Sequence, residues 1–143
     1  MGFILRLSSA FAEGDYKFLD ENGNDVIFTL PETVYTQSQS GPWMKEASLH
    51  KLKVHSHVRF DGLESIRIVT IDIPHPMKDK NEKDGVIEKI YLLDKDGLIV
   101  GYHAFGTQDK KAIFQSKLNG VINYVKAYVF CSKHGAWTED IRF

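Results

Sequence analysis

Apolar and polar residues alternate in short runs along most of this chain, and turn-forming dipeptides break the runs before any helical period develops. Such alternation suits half-buried strands and little else. Tyr16 to Leu19 and Val26 to Leu30 flank Asp20-Glu-Asn-Gly-Asn-Asp25, the signature of a hairpin. Residues 36–42, Thr-Gln-Ser-Gln-Ser-Gly-Pro, form a polar linker. A long strand from Leu49 to Phe60 turns at Asp61-Gly62 into Ser65 to Ile73. Beyond the charged loop Lys78 to Asp84, Val86 to Leu93 and Leu98 to Phe105 form a second hairpin around Asp94-Lys-Asp-Gly97. Val121 to Phe130 is the clearest strand, and Trp137 to Phe143 closes the chain. Seven or eight strands at this spacing predict an all-β antiparallel sandwich.

At 143 residues the chain has the length of one domain with a core of its own. Its net charge of -1, with no basic stripe interleaved with aromatics, argues against nucleic acid as a partner. No apolar run approaches the roughly 18 residues of a membrane span. The start ends in an A-x-A pattern at Ala10-Phe11-Ala12, like a signal-peptidase site, but it is short and Arg6 interrupts it. An N-terminal strand or tail and the stub of an export signal both fit, so cytoplasm and periplasm both stand.

The only cysteine precedes a histidine by three positions, in Cys131-Ser-Lys-His134-Gly135-Ala-Trp137. A thiolate and an imidazole so spaced can reach one metal ion from a single turn, and Gly135 supplies backbone freedom behind them. In the strand before it, Val121, Val125, Ala127 and Val129 form an apolar row that Cys131 continues, which puts its sulfur at the end of the core-facing side. Ile73-Pro74-His75-Pro76-Met77 holds a second histidine between prolines, which favours an extended, outward-held posture.

His50 shares the parity of Leu52, Val54, Val58 and Phe60 in the long strand. His55 and His57 fall on the opposite face with Lys51, Lys53 and Arg59; this H-x-H pair is either a chelating pair or an ordinary wet face. His103 reads as a half-buried strand residue. One thiolate with several imidazoles suits iron, copper or zinc alike. A Cys-His hydrolase dyad fits less well, since so tight a turn favours co-ligation over a proton relay.

The His75-Pro76-Met77 and Cys131 to Trp137 segments together resemble the superoxide reductase family, the desulfoferrodoxins and neelaredoxins. There an H-P-M or H-P-N segment gives one iron ligand and a C-N-x-H-G-x-W segment gives two. Tyr128-Val-Phe resembles the aromatic approach strand of that family. Glu88-Lys-Ile-Tyr-Leu-Leu-Asp-Lys-Asp-Gly97 resembles its E-x-I-E-L hairpin. The resemblance covers residues 43–143, leaving 1–42 as an N-terminal extension with a hairpin and a linker.

It implies a seven-stranded immunoglobulin-like sandwich around a mononuclear non-haem iron, with histidines equatorial and Cys131 axial. It also implies one-electron reduction of superoxide to peroxide. The ligand set it implies is His50, His75, Cys131 and His134. His50 lies in Ser48-Leu49-His50-Lys51-Leu52, where the family has an E-K-H-x-P loop. His55 competes by spacing, with His57 close by.

The family's further histidine ahead of the E-x-I-E-L strand has no match, because no histidine lies between His75 and His103. His55, His57 and His103 are the side chains left to fill that place. Lys45, Lys51 and Lys53 are candidates to steer the anion. The electron donor must be a separate molecule such as rubredoxin, since one cysteine cannot build a rubredoxin-like domain. Assembly into homo-oligomers stays open. The alternative is a non-catalytic metal-binding or sulfur-carrier module that keeps the sandwich and part of the site, with zinc or copper in place of iron.

Overall fold

The structure, a computed structural model, describes residues 15–19, 23–77 and 84–143. The A-x-A stretch ending at Ala12, the first turn residues after Leu19, and residues 78–83 of the charged loop lie outside the described residues. The strands are β1 (Asp15–Leu19), β2 (Asp25–Thr29), β3 (Val34–Tyr35), β4 (Lys53–Asp61), β5 (Glu64–Ile73), β6 (Ile87–Leu93), β7 (Ile99–Ala104), β8 (Ala112–Asn119), β9 (Tyr124–Cys131) and β10 (Gly135–Arg142). A run of 3-10 turns, Gly41–His50, separates β3 from β4.

The expected all-β sandwich forms, with a sheet in the order β3-β10-β9-β6-β7 and another in the order β4-β5-β8. All neighbours pair antiparallel except β3, which runs parallel to β10. The chain crosses between these two sheets after β3, after β5, after β7 and after β8. Period-2 alternation explains the core: Val69, Ile71 and Ile73 from β5 meet Val125, Ala127 and Val129 from β9, all buried. Burying each of the larger ones contributes about 1.5–3 kcal/mol. β1 and β2 pair as expected into a separate hairpin. Val26 and Phe28 of β2 cover Tyr91, Leu93 and Tyr128 in a second cluster, where the Tyr91 hydroxyl donates to the Ile27 carbonyl.

Four expectations need correction. The segment Leu49 to Leu52 is not strand: His50 ends the 3-10 run, its Nδ1 donating back to the Glu46 carbonyl at 3.1 Å, a local bond that an extended chain cannot make. Val121 is 79 % exposed in the turn ahead of β9, so the apolar row begins at Val125. The expected apolar row stays inward only at Leu52, just ahead of β4, and at the partly buried Val54, whereas Val58 and Phe60 of β4 are exposed. β3 and β8 add two strands to those expected from the sequence. Among the described residues, no helix is long and apolar enough to cross a membrane.

Candidate metal centre

Only four polar or charged residues are buried among those described, and three of them are His50, His75 and His134. Burying an imidazole without a partner is costly, so a fold that buries three beside a thiol calls for an explanation. Each arrives on a different element. His50 ends the 3-10 run, where Ala47 and His50, three residues apart, share the buried side. His75 follows β5. The chain bends at His75 and the ring turns inward, 4 % exposed, which corrects the extended, outward-held posture. The segment is held across the sandwich edge by the Ile87 N–H, which donates to Met77 Sδ at 3.3 Å.

Cys131 ends β9 on the core side, and His134 sits in the three-residue turn before β10. Cys131 pairs with Gly135 across that turn. Gly135 has φ +77°, the left-handed conformation that closes such turns and that a Cβ would strain.

One donor atom from each of His50, His75, Cys131 and His134 falls within 4.8 Å of the others. Cys131 Sγ lies 3.3 Å from His75 Nε2 and 3.4 Å from His134 Nδ1. Ligands bound at 2.0–2.3 Å and roughly 90–110° apart would be separated by about 3–3.6 Å.

The hydrogen-bond partners of the rings assign their tautomers. The Nδ1–H of His50 goes to Glu46, leaving Nε2 with a lone pair, fully buried and without a hydrogen-bond partner. The Nδ1–H of His75 goes to the Pro76 carbonyl at 2.7 Å, so its Nε2 also turns a lone pair toward the sulfur. His134 Nε2 faces the Asp84 carboxylate at 3.9 Å, leaving Nδ1 for the cluster. This is the outer support that metal-binding histidines usually have.

The electrostatics favour a cation over protons. Burial, then the neighbouring His75 and His134, lowers the His50 pKa to about 4. Burial and His75 lower that of His134. Burial raises that of the Cys131 thiol, against the Lys133 and His134 backbone N–H groups that aim at it. Imidazoles around a sulfur are the donor set that a soft or borderline transition metal takes, and the residues fit one.

Aromatic walls frame the cluster. Trp137 stacks on His50 at 4.2 Å and 9°, and its Nε1 donates to the His134 carbonyl at 3.0 Å. Trp43 meets His134 edge-on at 4.8 Å. The four residues that sequence singled out thus converge. His55 and His57 are exposed on β4 and outside the cluster, so neither fills the missing histidine's place. His103 is half-buried between Phe105 and Phe114 with Asp109 at 3.4 Å, also outside. Sequence reasoning missed Trp43 and Asp84; neither belongs to a motif, and only the fold brings them in.

No family model matches the chain, and no curated protein does. Among solved structures, the fold is that of a superoxide reductase (neelaredoxin) from Ignicoccus hospitalis. That match has TM-score 0.54 and 19% identity, over 76% of this chain and 94% of that one. A variant form of the same protein gives TM-score 0.56 at 16% identity, over 77% and 92%. A putative superoxide reductase from Thermotoga maritima gives 0.51 at 14%, over 81% and 96%.

Proposed function

We propose that this chain is a superoxide reductase-like protein that holds one mononuclear iron with His50, His75, Cys131 and His134. It reduces superoxide to hydrogen peroxide with an electron from an external donor such as rubredoxin. The observation that carries the reading is the buried His50 Nε2, left without a partner and facing two further imidazoles and a thiol. The fold it shares with superoxide reductases supports the choice of reaction.

When bound, iron supplies a one-electron couple between ferrous and ferric states. The balance is one superoxide, one electron and two protons to one hydrogen peroxide. The chain's own part is to hold the ion and tune it. Cys131, as thiolate, donates electron density that favours giving an electron away, as thiolate ligation does in haem proteins. Glu46 and Pro76, through their carbonyls, fix the rings of His50 and His75 so that Nε2 faces inward. Trp137 and Trp43 pack against the imidazoles and limit water. Lys45, Lys51 and Lys53 are exposed near His50 in sequence and attract an anion.

The test begins with bound metal in the purified protein and a thiolate-to-iron(III) charge-transfer band after oxidation. Product counting follows: a reductase with excess donor forms one peroxide per superoxide, whereas dismutation forms one per two. A protein that refuses ferrous iron, or that consumes superoxide at the dismutation ratio, sinks the proposal.

One observation favours a second reading. All four donor residues are at most 4 % exposed, and CysHis3 is a set that zinc accepts as a closed structural site. Tightly held zinc with no superoxide consumption would select that non-catalytic module.

A further inference from the structure

The pocket holds one more donor than its side chains supply. The main-chain carbonyl oxygen of Asp84 lies 3.1 Å from His75 Nε2 and 3.6 Å from Cys131 Sγ. Those are the separations that co-ligands of one ion would have, about 3–3.6 Å. Hydrogen bonding accounts poorly for the closer contact. A ring with one N–H cannot serve both the Pro76 carbonyl, 2.7 Å from Nδ1, and the Asp84 carbonyl, 3.1 Å from Nε2; with that hydrogen on Nδ1, the side of the shorter contact, the Asp84 oxygen faces a lone pair. Cys131 Sγ, with a single proton, lies 3.3 Å from His75 Nε2, 3.4 Å from His134 Nδ1 and 3.6 Å from the Asp84 carbonyl. A shared cation satisfies all of them at once.

The placement of this carbonyl is built into the backbone. Gly85 has φ +72°, and a Cβ there would run into Ser132 Oγ and come within 2.9 Å of Lys133 Cβ. The Val86 N–H donates to Ser132 Oγ at 3.0 Å, and the Ser132 N–H donates to the Val86 carbonyl at 2.9 Å. Residues 84–86 are therefore fastened to the turn that carries Cys131 and His134. The Asp84 carboxylate meanwhile faces His134 Nε2, on the far side of the ring from the sulfur.

We infer that Asp84 is a fifth protein ligand of the metal centre, donating its main-chain carbonyl oxygen beside His50, His75, Cys131 and His134. The inference rests on the proposed metal site and deepens it. Five donors exceed the four of a closed zinc site, and a hard oxygen in the set shifts preference toward iron.

Cobalt(II) is the probe, because its visible bands weaken as coordination rises from four to five. The wild-type protein should show thiolate-to-cobalt charge transfer with weak, five-coordinate bands. Gly85→Ala, which moves the carbonyl, should strengthen those bands and weaken cobalt binding at least tenfold, while Asp84→Ala, which keeps the carbonyl, should retain the weak, five-coordinate bands even where loss of the carboxylate beside His134 lowers affinity. Strengthened, four-coordinate bands in Asp84→Ala assign the oxygen to the carboxylate and overturn the inference. So does a folded Gly85→Ala protein with unchanged bands and affinity.

Wild-type protein carrying aspartate labelled with 13C at the main-chain carbonyl, loaded with ferric iron, gives a check that needs no variant. One strong 13C hyperfine coupling is expected. Its absence in a protein that shows the thiolate band overturns the carbonyl ligand alone, whereas failure to take up any metal overturns the site as well.

Discussion

His55 and His57 stand exposed on β4, whereas His50, His75 and His134 are buried around Cys131, although all five lie in extended or short irregular backbone. The exposed pair meets water, and nothing in its surroundings asks for a cation. In the buried trio Nδ1 of His50 and of His75 is turned to the Glu46 and Pro76 carbonyls, and Nε2 of His134 faces the Asp84 carboxylate at 3.9 Å, so the opposite nitrogens point at the cluster. What marks a candidate metal site here is not the density of histidines. It is the desolvation of several acceptors around one point, with too few protons to go round.

Removing the sulfur is the sharpest way to break this contrast. Wild-type protein should gain about 4 kcal/mol of stability at a free metal concentration near 1,000 times Kd. It should also release about one proton per ion at neutral pH, because burial keeps the free Cys131 thiol protonated. Cys131→Ser should lose the charge-transfer band, that proton and most of the metal-dependent gain, read by calorimetry and thermal melts. An unchanged metal content in this variant would dissolve the distinction between the two histidine groups.

Acid comes next. Folded His50 titrates near 4, below the 6.5 of an exposed histidine, so the unfolded chain binds more protons between those values. Stability of the metal-free protein should be fully present above about pH 6.5 and fall by about 3 kcal/mol as the pH drops to 4. His134 adds to the loss in the same direction. Urea unfolding in chelator at pH 7, 6, 5 and 4 reads this; a flat profile would mean that His50 is solvated.

A smaller effect is expected at the turn. Gly135→Ala forces a Cβ into the left-handed region at φ +77°, 3.3 Å from the Tyr35 ring. It should cost about 1–2 kcal/mol and weaken metal binding together with it. The smallest effect is expected on β4. His55→Gln with His57→Gln should leave metal content unchanged and stability within about 0.5 kcal/mol. Loss of metal in that double variant would show the exposed pair to be part of the site.

Strands with clean alternation are legible in the sequence alone. Val69, Ile71 and Ile73 announce the inward face of β5, and Val125 to Cys131 that of β9. β8 is harder to see because Gln115-Ser-Lys117 blurs its pattern, although Ala112, Phe114 and Leu118 are buried on one side. The 3-10 run is hidden because only Ala47 and His50 are buried in it, too few to show a period in sequence. His50 stands out nonetheless, through its resemblance to a family segment rather than through its local conformation.

The chain's own order of residues determined the sandwich class, the Cys131–His134 turn and the choice of His50 and His75. Alternation, glycine punctuation and short ligand spacing are local properties that a linear string records. Tertiary structure alone decided that His55, His57 and His103 stay outside, that His75 turns inward, and that the Asp84 carbonyl enters the pocket. Burial and lone-pair direction depend on which elements pack together across the sandwich. A main-chain oxygen, which every residue carries, leaves no mark in a sequence at all.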